Sequence, residues 1–92
     1  MNELKKYISD RSSKSPQFKK TYLEESNRLE AALAVKGLRK SLNMSQREFA
    51  NYINKPQSTI GRIETGKINI SFDVLNDIAN ATGTKLKIEY VK

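Results

Sequence analysis

Ser45-Gln-Arg-Glu-Phe-Ala-Asn-Tyr-Ile-Asn-Lys-Pro-Gln-Ser-Thr-Ile-Gly-Arg-Ile-Glu-Thr-Gly66 reads as two short helices joined by a tight corner. Ser45 and Glu48 form a capping box: the hydroxyl accepts from a free amide of the first turn, and the carboxylate reaches back to the amide of Ser45. The helix so opened turns Phe49, Ala50 and Ile53 inward. Asn54 tolerates the positive φ that a sharp corner demands, and Pro56 presets the backbone for the following helix. That second helix, Gln57 to Thr65, buries Ile60 and Ile63, carries polar side chains outward and stops at Gly66.

On either side the sequence supplies helices for this pair to pack on. Ser15-Pro16 is a strong helix start, with Ser as N-cap and Pro at the first helical position. Phe18 and Tyr22 stand four apart, and the apolar series resumes at Leu29, Ala32, Leu33, Leu38 and Leu42. Two readings stay open here: one helix from Pro16 to Leu42, or a break near Ser26-Asn27, both mediocre helix formers. Gly37 inside this pattern costs about 1 kcal/mol relative to Ala. Asn43 can take the left-handed conformation that ends a helix. Downstream, Ser71 opens a helix with Phe72, Leu75, Ile78 and Ala79 on one face, closed by Gly83. Thr84 to Val91 then alternates, with Leu86, Ile88 and Tyr90 opposite Lys85, Lys87 and Glu89, the pattern of a strand with one buried side. At the other end, Asn2 to Ser9 reads as a short helix grouping Leu4, Tyr7 and Ile8, and the polar, Ser-rich Asp10 to Ser15 reads as a linker.

Seventeen Lys and Arg stand against ten Asp and Glu, a net charge of +7. Between Ala31 and Lys67, seven basic residues face only Glu48 and Glu64, so five of the seven net charges fall there. A local excess of this kind favours phosphate through counterion release. No helix joins a basic face to a wide apolar one, which argues against a membrane-surface role. Cys and His are absent, which excludes disulfides, thiol chemistry and the usual zinc sites. Met1 to Asp10 has no apolar core of secretory length, and no run approaches a membrane span, so a cytoplasmic location is expected. With no His general base, no glycine-rich phosphate loop and no spaced acid pair, the chain is expected to be no enzyme and to need no metal or cofactor.

An α-helix fits the major groove of DNA, and a second helix packed across it sets its angle. Such a pair needs a small residue where the helices approach, a left-handed residue at the corner and an apolar anchor on the reading helix. Ala50, Asn54 and Ile60 meet those needs inside the basic segment. The expected fold is therefore mainly α: a helix-turn-helix bundle of four to five helices (residues 30–83), an N-terminal helical arm (1–29) and a C-terminal strand (84–92) that pairs between chains.

From Leu38 to Gly83 the chain resembles the helix-turn-helix family of phage repressors of the Cro and C1 type. The resemblance is carried by Leu38-Arg39, Met44-Ser45-Gln46, Phe49-Ala50, Gln57-Ser58-Thr59-Ile60, Arg62-Ile63-Glu64-x-Gly66-Lys67, Leu75 and Ile78-Ala79. It implies base contacts from Gln57, Ser58 and Arg62, since Gln suits adenine and Arg suits guanine. It further implies a base or phosphate contact from Thr59 and a phosphate grip at the start of the supporting helix by Ser45 and Gln46. Lys55 and Lys67 are expected phosphate contacts, and Arg39 with Glu64 matches the family's semi-buried structural salt bridge. Two positions depart from the family pattern: Lys55 stands where a Val is normally buried, and Pro56 where a Ser or Thr normally caps the reading helix.

The arm carries Leu4, Tyr7, Ile8, Phe18, Tyr22 and Leu23, too many apolar residues for a solvating tail. Arm, helix-turn-helix and terminal strand together look like the HigA-type antitoxins of bacterial type II toxin–antitoxin systems. That likeness implies a toxin partner of the RelE/HigB family, a ribosome-associated mRNA endonuclease held inactive in the complex, and autorepression of the shared operon. The arm residues then bind the toxin, the alternative being that they pack on the domain's own core or pair two subunits. A lone strand cannot satisfy its own backbone, so Leu86, Ile88 and Tyr90 are expected at a partner chain: a homodimer contact suited to a palindromic operator or, as the competing possibility, a sheet of the toxin. The competing reading is a stand-alone repressor of a phage or mobile element, with no toxin.

Overall fold

The structure is a computed structural model and describes residues 16–92; the expected helix at Asn2 to Ser9, its Leu4, Tyr7 and Ile8, and the Ser15 cap lie outside the described residues. Four helices follow one another: α1 (Pro16–Ser41), α2 (Gln46–Tyr52), α3 (Gln57–Thr65) and α4 (Phe72–Thr82). Of the two readings for the first helical segment, the unbroken one holds. α1 runs 26 residues, about 39 Å at 1.5 Å per residue, and crosses the boundary at residues 29 and 30 without a break.

Local chemistry sets the remaining boundaries. Asn43 has φ 57° and ends the α1 segment. Ser45 Oγ accepts from the Glu48 amide at 3.1 Å while Glu48 Oε1 accepts from the Ser45 amide at 2.9 Å, completing the capping box. The Ser45 amide first, and the Ser45 side chain second, hold the Glu48 carboxyl below its ordinary value. Asn54 turns the corner at φ 58°. Pro56 occupies the N-cap of α3 with no side-chain bond; its carbonyl accepts from the Thr59 amide at 3.0 Å. Gly66 (φ 72°) and Gly83 (φ 67°) close α3 and α4 in the left-handed region.

The core forms where α1, α2, α3 and α4 converge: Val35, Phe49, Ala50, Ile53, Ile60, Ile63 and Ile78. Phe49 and Ile60 are fully buried, each contributing about 1.5–3 kcal/mol relative to an exposed side chain. Three expectations need correction. Val35, outside the expected apolar series, is buried, whereas Leu29 and Leu33 are 52% and 64% exposed. At 100° per residue Leu33 is turned about 160° from Val35, so both cannot face the core. Phe72 is 58% exposed: it stands at the first residue of α4, and Val74 packs against the core instead.

The third correction concerns residues 84–92. No strand is present among the described residues, and this segment leaves α4 as irregular chain. Leu86 is half-buried and lines a groove of about 280 Å³ with Val35, Leu38, Leu75 and Ile78. Ile88 (61% exposed) and Tyr90 (101%) have no cover. Helices offer no ladder edge, so nothing among the described residues holds this segment as a strand.

Candidate nucleic-acid interface

Burying Ile60 and Ile63 fixes the rotation of α3, and with it the face that remains outside. Ser58, Gly61, Arg62 and Thr65 fall on that outer face, with Gln57 at its edge near the helix start. Gln57, Ser58 and Arg62 are exposed, and their side chains have no hydrogen bond or ion pair among the described residues. They are therefore free to bond a ligand. Thr59 is half-buried beside them. The Thr65 hydroxyl turns back to the Arg62 carbonyl at 2.7 Å and leaves the face clear.

Behind α3 lies a polar brace. Arg39 bonds Glu64 through two prongs, Nε to Oε2 at 2.8 Å and Nη2 to Oε1 at 3.0 Å. Its Nη1 also donates to the Met44 carbonyl at 2.7 Å. The side chains are 11% and 4% exposed, so the structural role expected of this pair has its geometry. Gln46 Nε2 donates to Glu64 Oε1 at 3.2 Å. Burial alone would raise the Glu64 carboxyl; the bonds from Arg39 and Gln46 and the charges of Arg39 and Lys36 outweigh it and hold the group below its ordinary value. The Glu64 bond, partly offset by burial, raises Arg39 above its ordinary value.

The brace places Gln46 against the reading helix. A Cβ at Gly61 would sit 3.8 Å from Gln46 Oε1, so the amide lies over the middle of α3 with its oxygen outward from the Glu64 bond. Gly61 is the residue that sequence reasoning passed over. Its signal was its place between Ser58 and Arg62 on the outer face, where a missing side chain lets a large ligand come close.

The expected phosphate contacts divide. Ser45 is exposed at the start of α2, where its oxygen is engaged in the capping box. Lys67 is exposed just beyond α3 and forms no ion pair among the described residues. Lys55 is turned toward α4, where its Nζ meets Asp77 Oδ2 at 3.4 Å with 21% of the side chain exposed. That ion pair accounts for a Lys at a position the family fills with a buried Val. Among the arm residues, Leu23 is 46% exposed and Phe18 and Tyr22 are half-buried on α1. No helix among the described residues is long and apolar enough to cross a membrane.

A family model described as Helix-turn-helix matches residues 35–88, from the last two turns of α1 through α4 into the segment beyond. No curated protein and no solved structure matches the chain.

Proposed function

Since this chain belongs to the Cro/C1-type helix-turn-helix family and is a DNA-binding regulator of double-stranded DNA, we propose that it represses its own operon and neutralises a co-expressed toxin. In this reading α3 lies in the major groove. Gln57, Ser58 and Arg62 contact base edges; Ser45, Gln46, Thr59 and Lys67 hold the sugar–phosphate backbone. The chain acts by binding and not by catalysis. The observation that carries the DNA part is the set of unpartnered polar side chains on the one face of α3 that the core leaves outside.

The antitoxin part is supported by α1. Its first half overshoots the matched domain and presents Leu23, and Leu33 is exposed further along the same helix. Exposed leucines on a regular helix are the pattern of a helix that docks in a partner's groove. With Leu4, Tyr7, Ile8, Phe18 and Tyr22, they form the proposed surface for a RelE/HigB-like toxin. Leu86, Ile88 and Tyr90 form the proposed dimer contact, in which pairing with a second copy would supply the ladder that the described residues lack.

The test is removal of residues 1–15 and, separately, Leu23→Asp with Leu33→Asp. Both variants are expected to lose capture of the toxin encoded beside this gene while retaining operator binding. Full neutralisation by both would remove α1 from the toxin surface and leave the stand-alone repressor in its place.

A further inference from the structure

The geometry points to a second DNA contact outside the helix-turn-helix: Arg28, on the part of α1 that precedes the matched domain, grips a backbone phosphate of the duplex that α3 reads. The inference rests on the DNA-binding reading of α3 and adds a residue that the motif does not contain.

Two contacts seat the middle of α1 on the turn that follows α3. Arg28 Nη1 donates to Asn69 Oδ1 at 3.3 Å across 41 positions. Leu29 lies against Gly66, where an added Cβ would sit 2.8 Å from Leu29 Cδ2. Together they define a shallow cleft of about 340 Å³ lined by Glu25, Arg28, Leu29, Gly66 and Lys67. Arg28 is thus held beside Lys67 at the C-terminal end of the reading helix.

The bonding of Arg28 suits an anion and not a structural salt bridge. Asn69 is neutral and engages one of the five guanidinium N–H groups, so it orients the side chain without compensating its charge. Glu24 and Glu25, about one turn earlier on α1, do not pair with it, and Lys67 is unpaired among the described residues. A planar fork held in place with its charge open is matched to phosphate oxygens.

Position supplies the occupant. A nine-residue helix is about 13.5 Å long, against a major groove about 12 Å wide. A recognition helix contacts base edges with its N-terminal residues, so the C-terminal end of α3 is the end directed at a phosphate wall. Gln57, Ser58 and Arg62 face the bases, while the turn holding Arg28 and Lys67 faces a sugar–phosphate strand. Glu25 lines the same cleft and opposes the contact.

The experiment uses the full chain and a duplex selected from a random library by the wild-type protein, with a scrambled duplex as control. Kd is measured across a range of salt for the wild type, Arg28→Ala, Arg28→Lys, Asn69→Ala and Glu25→Gln, each first checked for wild-type helicity. Arg28→Ala is expected to weaken binding by a similar factor on both duplexes and to lower the slope of log K against log salt by about 0.9. Arg28→Lys and Asn69→Ala should keep the wild-type slope, and Glu25→Gln should bind more tightly. A wild-type slope for Arg28→Ala overturns the contact. So does an equal loss for Arg28→Ala and Asn69→Ala, which would make Arg28 only a tether for α1. A wild-type protein that selects no duplex would instead overturn the reading of α3 itself.

Discussion

Arg39 and Glu64, 25 residues apart in the chain, meet in a two-pronged ion pair that ties α1 to α3, with bonds of 2.8 and 3.0 Å. The same two side chains hold the Met44 carbonyl and the Gln46 amide. One polar unit thus fixes the angle of the reading helix against α1 and the start of α2. Removing one partner strands the other in a site with little access to water. Glu64→Ala and Arg39→Ala are each expected to cost about 1.5–3 kcal/mol, the range for hydrogen bonds to charged groups, in this half-buried setting. Replacing both by apolar residues, Arg39→Met with Glu64→Leu, should cost much less than the two single changes added together. Urea denaturation of the three variants measures this, and strict additivity would mean that the two residues act independently.

The depressed Glu64 carboxyl makes stability depend on acid. Its folded pKa lies below the unfolded one, so the ionised form is the one that stabilises the fold. That stabilisation is fully present above the ordinary carboxylate range of roughly 4.3 and is lost as pH falls through the depressed folded value. Thermal midpoints should therefore hold from neutral pH down to about 5 and drop below about 4. Glu64→Gln should flatten that drop only in part, because the Glu48 carboxyl is held low as well. An unchanged acid profile in Glu64→Gln would assign the sensitivity to other groups.

How legible this fold was depended on the range of the interaction involved. Ser45, Asn54, Gly66 and Gly83 could be read directly, because capping and positive φ are local properties of the residue and its neighbours. The rotation of α1 could not. Periodicity shows that apolar residues recur, but Ala32 and Leu33 are adjacent, and only the packing of α2, α3 and α4 decides that Val35 and Ala32 go inside. The Lys55–Asp77 pair spans 22 positions and left no trace in either local sequence. The alternation of Leu86, Ile88 and Tyr90 was legible as a pattern, but alternation does not supply a hydrogen-bond ladder, and the described residues offer none.

Two glycines should respond in opposite directions. Gly37 lies inside α1 with nothing within 4 Å of an added Cβ. Gly37→Ala should raise stability by about 0.5–1 kcal/mol, through higher helix propensity and fewer unfolded conformations. Gly66 is left-handed and crowded by Leu29; Gly66→Ala should lower stability by about 1 kcal/mol or more. Denaturant midpoints compare the pair, and equal effects would contradict the α3 terminus described here.

The account stands or falls on whether the outer face of α3 reads DNA sequence. The most direct measurement is selection of duplexes from a random library by the wild-type chain and by Arg62→Ala, followed by affinities on the selected site and its single-base variants. The account predicts a defined site for the wild type. For Arg62→Ala it predicts a loss of about 1–3 kcal/mol together with relaxed preference at one base pair and unchanged preference elsewhere. Binding with no sequence preference in the wild type, or an identical site and affinity for Arg62→Ala, would contradict it.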